Sequence, residues 1–165
     1  MKKTIFIAAI AALTLTACGG KENNTAADSS ADTSQTAAAT ATEGEAAESA
    51  FEVSDSGITV KAQHASMPVV IDFSATWCGP CRQLAPMFDA WEKQYAGKIL
   101  FLKIDVDRYP GLADLYGISG IPHVVIYDGK PGAESARALK PEDATMAITG
   151  LQPDALTDAL AKLAQ

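Results

Sequence analysis

The chain has 165 residues, with 13 lysines and arginines against 20 aspartates and glutamates, for a formal net charge of −7. That length allows one ordinary domain and at most a small second one. Basic residues nowhere gather into a patch or stripe, which excludes nucleic acid as a partner.

Met1-Lys2-Lys3 sets two positive charges ahead of an apolar run from Thr4 to Ala17 that ends in small residues. Over residues 1–17 this is the layout of a secretory signal peptide. A run of about 14 residues falls short of the roughly 20 that a helix needs to cross the hydrocarbon core, which argues against a transmembrane anchor. Leu15-Thr16-Ala17-Cys18 resembles the lipobox of bacterial lipoproteins. The resemblance implies that the Cys18 thiol receives a diacylglycerol, that the leader is cut before it, and that the new amino terminus is acylated. Several acyl chains hold a protein firmly, since each buried CH₂ contributes about 0.8 kcal/mol. An ordinary secreted protein with a spare thiol is the alternative. The expected location is the bacterial cell envelope, facing the periplasm and lipid-anchored to the inner or outer membrane.

Residues 19–50 are mostly Ala, Thr, Ser, Gly, Asn, Asp and Glu, and Lys21 stands alone against Glu22, Asp28, Asp32, Glu43, Glu45 and Glu48. Such a segment buries too little apolar area to offset its ordering entropy. With Cys18 it makes residues 18–50 a disordered tether, spanning roughly 30 Å as a coil. Residues 51–165 are left as the folded domain.

Within that domain, residues 51–66 suggest a strand and a short helix. Val69-Val70-Ile71-Asp72-Phe73 is a nearly continuous apolar run that reads as a buried strand. Leu84, Phe88, Trp91 and Tyr95 then recur on one face of a helix that Pro86 should kink and Gly97 should end. A second strand covers Ile99 to Val106, a short helix Gly111 to Tyr116, and a third strand Ile121 to Tyr127, closed by Asp128-Gly129. Residues 130–143 read as irregular, Ala144 to Thr149 as a last strand, and Pro153 to Ala164 as a helix turning Leu156, Leu160 and Leu163 inward. The order indicates an α/β domain with a mixed sheet.

Between the first of those strands and its helix stands Cys78-Gly79-Pro80-Cys81. Disulfide exchange needs a thiolate to attack a sulfur and a second thiol close enough to resolve the mixed disulfide. A cysteine at a helix start meets unpaired N–H groups and the positive end of the macrodipole, which lower its pKa. Pro80 fits the first turn, where its missing N–H costs nothing. Cys78 is then the nucleophile and the more exposed of the pair, with Cys81 the buried resolving thiol. A zinc half-site and a purely structural disulfide are the alternatives. Zinc would need four ligands, and the domain adds only His64 and His123, so no metal is expected.

Val70-Ile71-Asp72-Phe73 through Trp77-Cys78-Gly79-Pro80-Cys81, with Ala85-Pro86, resembles the active-site strand and helix of thioredoxins. Lys103-Ile104-Asp105-Val106-Asp107 and Tyr116-Gly117-Ile118-Ser119-Gly120-Ile121-Pro122 are similar to later stretches of that family in the same order. The resemblance implies a thioredoxin fold, a central mixed β-sheet flanked by helices. It implies that Asp72 is a buried acid relaying a proton for Cys81, and that Lys103 is the lysine near it. It also implies that Pro122 is a cis-proline facing a redox disulfide between Cys78 and Cys81. Ile121, with Trp77, Gly79 and Pro80, would border the substrate. Ser74 departs from the second tryptophan of many members, and His123 from the usual threonine. Residues 130–143 look like an insertion.

Together these readings suggest a thiol–disulfide oxidoreductase whose only redox group is its disulfide, without added cofactor. Gly-Pro between the cysteines resembles reducing members, so oxidised envelope proteins are the expected clients and a membrane thiol reductase the electron donor. A monomer is expected. A disulfide-forming oxidase or isomerase would use the same residues in reverse, and a non-catalytic binding lipoprotein would reuse the fold alone.

Overall fold

The structure is a computed structural model, and it describes residues 50–165. The expected signal peptide over 1–17, Cys18 and the expected tether over 18–50, all but its last residue, lie outside the described residues.

Alternating exposure from Phe51 to Val60 produces two short strands, β1 (Phe51–Ser54) and β2 (Gly57–Val60), paired antiparallel with Phe51 opposite Val60. Asp55 and Ser56 close this hairpin, and a single 3-10 turn follows at Ala62–His64. The short helix expected within 51–66 is therefore a second strand and that turn. Ile58 and Val60 alternate with Gly57 and Thr59, a period of two that suits a strand and not a helix.

β3 (Val69–Ser74), α1 (Gly79–Gln94) and β4 (Leu100–Asp105) come next, β4 lying parallel to β3. Pro86 sits inside α1 as expected. α2 (Pro110–Leu115) begins with proline at its first turn, where no N–H partner is needed. A β-carbon on Gly111 would stand 2.8 Å from the Asp55 carbonyl oxygen, so only glycine lets the hairpin turn approach α2 this closely. β5 (His123–Tyr127) runs antiparallel to β3.

Residues 130–143, expected to be irregular, contain β6 (Arg137–Leu139) and a 3-10 turn at Pro141–Asp143. β6 pairs with β2 in a second, three-stranded sheet of order β1-β2-β6. Its first residue is a buried arginine, whose guanidinium donates to the Met67 and Asp128 carbonyls at 3.0 Å each. Tyr116 and Tyr127 hold the far end, their hydroxyls reaching the Leu139 and Lys140 carbonyls at 3.0 and 3.1 Å. β7 (Met146–Thr149) and α3 (Pro153–Leu163) complete the domain.

The central sheet has the order β4-β3-β5-β7, with one parallel and two antiparallel pairings. Because side chains alternate across a sheet, it builds two cores. On one face Ile71, Phe73, Ile104 and Tyr127 meet the small sheet through Phe51, Ile58 and Leu139, and α2 through Leu112. On the other Val70, Phe101 and Val124 meet Leu84 and Phe88 of α1 and Leu156 and Leu160 of α3. Leu163 is only half-buried at the edge of that layer. A mixed sheet with helices on both faces is the expected thioredoxin fold, with a three-stranded sheet as an added cover on one side.

Candidate functional site

At the carboxyl end of β3 the chain leaves the sheet and turns. The Cys78 N–H donates to the Ala75 carbonyl at 3.1 Å, and Arg82 reaches back from α1 to the Thr76 carbonyl at 3.0 Å. This places Cys78 as the N-cap of α1, in extended backbone, with Gly79 and Pro80 forming the first helical positions. The Cys81 N–H points at the Cys78 sulfur, 3.1 Å away. An N–H that the helix cannot satisfy internally therefore meets the sulfur itself.

Cys78 and Cys81 are joined as a disulfide. Both residues are 4% exposed, so the expectation that Cys78 is the more open of the two does not hold in this oxidised form. Ala75, Val106 and Ile121 cover the pair, and the Ile121 carbonyl oxygen is 3.7 Å from the Cys78 sulfur. The Ile121–Pro122 peptide is cis, as the resemblance implied. Pro122 is buried, and its carbonyl accepts the Gly150 N–H at 2.8 Å.

Asp72 is the one carboxylate buried among the described residues, at 3% exposure, and its Oδ1 has no hydrogen-bond partner. Burial pushes its carboxyl up to about 6, while the Ser74 hydroxyl and the Lys103 ammonium pull the other way more weakly. Ser74, which departs from the tryptophan of many thioredoxins, thus takes part in the environment of this acid. Lys103 is Asp72's partner across the parallel pairing. Its ammonium, however, reaches Asp89 of α1 and lies over the Phe88 ring. Lys103 acts on Asp72 through the field and is itself exposed.

Trp77, implied to border the substrate, projects into solvent next to Cys78. It is 66% exposed beside the disulfide, and its indole N–H donates to Asp107 at 2.8 Å. His123 is half-buried at the start of β5, its Nδ1 2.8 Å from the Thr149 hydroxyl, and burial lowers its pKa. Sequence reasoning missed Asp107, Asp89 and Thr149 as neighbours of the site. The first two are ordinary-looking acids, and the third is fixed only by strand pairing. Cys18 lies outside the described residues.

A strand, a Cys-Gly-Pro-Cys turn on a helix start and an opposing cis-proline together define a redox-disulfide domain of thioredoxin fold. The thioredoxin family model matches residues 49–149. This chain is 45% identical over 67 residues to an H-type thioredoxin of Chlamydomonas reinhardtii, covering 41% of itself and 59% of that protein's length. Against thioredoxin 1 of Nostoc sp. it is 42% identical over 80 residues, 48% of this chain and 75% of that one. The structure of Trichomonas vaginalis thioredoxin superposes with a TM-score of 0.51 at 28% identity, covering 61% of this chain and 83% of that one. The chain belongs to the thioredoxin family.

Proposed function

We propose that this protein is a thiol–disulfide oxidoreductase of the bacterial cell envelope, tethered to a membrane through Cys18, that reduces disulfides in envelope proteins. The observation that carries the redox reading is the Cys81 N–H aimed at the Cys78 sulfur at the start of a 16-residue helix. That donor and the helix dipole favour the thiolate of Cys78 once the pair is reduced.

In the reaction, the Cys78 thiolate attacks one client sulfur, forming a mixed disulfide and releasing the other client sulfur as a thiolate. Cys81 then loses its proton and attacks the Cys78 sulfur, closing the Cys78–Cys81 disulfide and releasing the second client thiolate. Two electrons pass to the client. Asp72, poised near neutral pH inside the protein, is the acceptor for the Cys81 proton, and Lys103 adjusts it electrostatically. Trp77, Gly79, Pro80, Ile121 and Pro122 form the surface on which the client rests. A membrane thiol reductase resupplies the electrons. The reducing direction is supported by Gly79-Pro80, the pairing of reducing members with potentials near roughly −270 mV. The envelope location is supported by Met1 to Cys18 alone.

The test is a thiol titration and a turnover assay on the reduced full-length protein. Cys78 should ionise near pH 7, well below the ordinary value of about 8.5. C78S should abolish reduction of a small aromatic disulfide, and C81S should accumulate a mixed disulfide at Cys78. An ordinary titration without turnover overturns the reading. Thiol trapping in intact cells tests direction, because a pair found mostly oxidised at steady state defeats the reductant reading.

A further inference from the structure

The loop that faces the disulfide is gripped from behind by the end of β7. Thr149 Oγ1 is 2.8 Å from His123 Nδ1, immediately after Pro122. The Thr149 methyl group is 3.6 Å from where a β-carbon of Gly120 would stand. One residue further, the Gly150 N–H donates to the Pro122 carbonyl at 2.8 Å. Gly150 holds a φ of +85°, which glycine adopts without steric cost. Thr149 and Gly150 thus touch Gly120, Pro122 and His123 at once, with Ile121 and its carbonyl left facing Cys78.

Register explains why these residues meet. His123, first in β5, is the direct partner of Thr149, last in β7, and of Phe73 on β3. The Phe73 ring meets the imidazole edge-on at 6.5 Å between centroids. The imidazole is therefore held by an aromatic ring on one strand and a hydroxyl on the other. A β-branched side chain has few χ1 choices. Anchoring the Thr149 hydroxyl on His123 selects the one that puts the methyl against Gly120.

We propose that His123 and Thr149 form a clasp that fixes the Gly120–Ile121–Pro122 loop in the shape that receives an extended client chain. The pair sets how tightly protein disulfides dock, and it acts on the chemistry only through the loop. The proposal rests on the oxidoreductase reading above. Without the clasp, the loop must be ordered as each client binds, and that ordering weakens association. The loss should appear in KM for protein clients, because a small disulfide needs no strand-like docking.

The test reduces full-length protein and removes the reductant by desalting, because dithiothreitol itself cleaves Ellman's reagent. A single turnover is followed with excess insulin or excess Ellman's reagent, a small aromatic disulfide, and the dependence of rate on substrate concentration gives kcat and KM for that turnover. For H123A and T149V, kcat/KM on insulin relative to Ellman's reagent should fall about tenfold, carried by KM. The double variant should be no worse than either single one, since both remove the same bond. H123N, whose amide can still meet the hydroxyl, should recover part of the loss. An unchanged ratio in T149V overturns the clasp, as does an additive double variant or an equal loss of kcat on both substrates. T149V keeps the shape of threonine, so it decides the matter even if H123A does not fold. Wild-type protein inert toward Ellman's reagent would overturn the oxidoreductase reading itself, and the clasp with it.

Discussion

Asp72 carries a charge that its surroundings resist. Its carboxyl is raised from the ordinary 3.8 to about 6, first by burial. Between those values the native state binds more protons than the unfolded chain, so stability falls as pH rises through that window. The penalty is complete above about pH 6 and absent below about pH 4. D72N should therefore exceed its parent in stability by roughly 2–3 kcal/mol near pH 8 and match it near pH 4, since a tenfold change in proton affinity is worth about 1.4 kcal/mol. Denaturant unfolding at the two pH values checks this, and an equal gain at both refutes it. The parent should resolve mixed disulfides with a step near pH 6, where the Asp72 carboxyl titrates, and D72N should lose that step. The burial of Asp72 was legible in the sequence through the resemblance of its strand to that of thioredoxins. The exposure of Trp77 was not, because its partner Asp107 lies thirty residues on and has no distinguishing pattern. D107A should change the Trp77 fluorescence while shifting unfolding by less than about 1 kcal/mol, as suits one hydrogen bond in solvent. A larger loss of stability would give Asp107 a structural role.

Elements were legible where hydrophobic periodicity was long. The apolar run of β3, the four-residue stripe of α1 and the leucine pattern of α3 each gave their element to within about a residue or two. The small sheet was not legible. β6 has three residues, too few to show a period, and its inward position is held by Arg137, a residue that is seldom buried. What makes that strand possible is tertiary, two carbonyls from distant turns accepting from one guanidinium. R137A should lower stability by about 2–3 kcal/mol, because hydrogen bonds to a charged group are the stronger kind and both carbonyls lose their donor. R137K should recover little, since an ammonium cannot span the two acceptors as a fork does. Urea unfolding of the three proteins checks this, and full rescue by lysine would refute it.

At the scale of the molecule, the described residues 50–165 are accounted for by packing, and the proposed envelope anchor rests on residues outside them. Cys18 supplies the testable link. Full-length protein should fractionate with membranes and take up a fatty-acid label, whereas C18S should be unlabelled and released on osmotic shock; membrane retention of C18S would remove the lipid anchor from the proposal. Order along the sequence was enough to identify a mixed sheet between layers, because strand and helix alternate in a fixed rhythm. It could not show that β1 and β2 unite with β6 as one cover, since that pairing joins residues about eighty positions apart.

Alternation across the central sheet assigns Asp72 and Lys103 to the side of α1, and His123 and Thr149 to the reverse side. The proposed proton acceptor and the proposed clasp consequently lie on opposite faces of the same four strands. Substitution of His123 or Thr149 should accordingly leave the ionisation of Asp72 where it is, as expected of sites that share no partner.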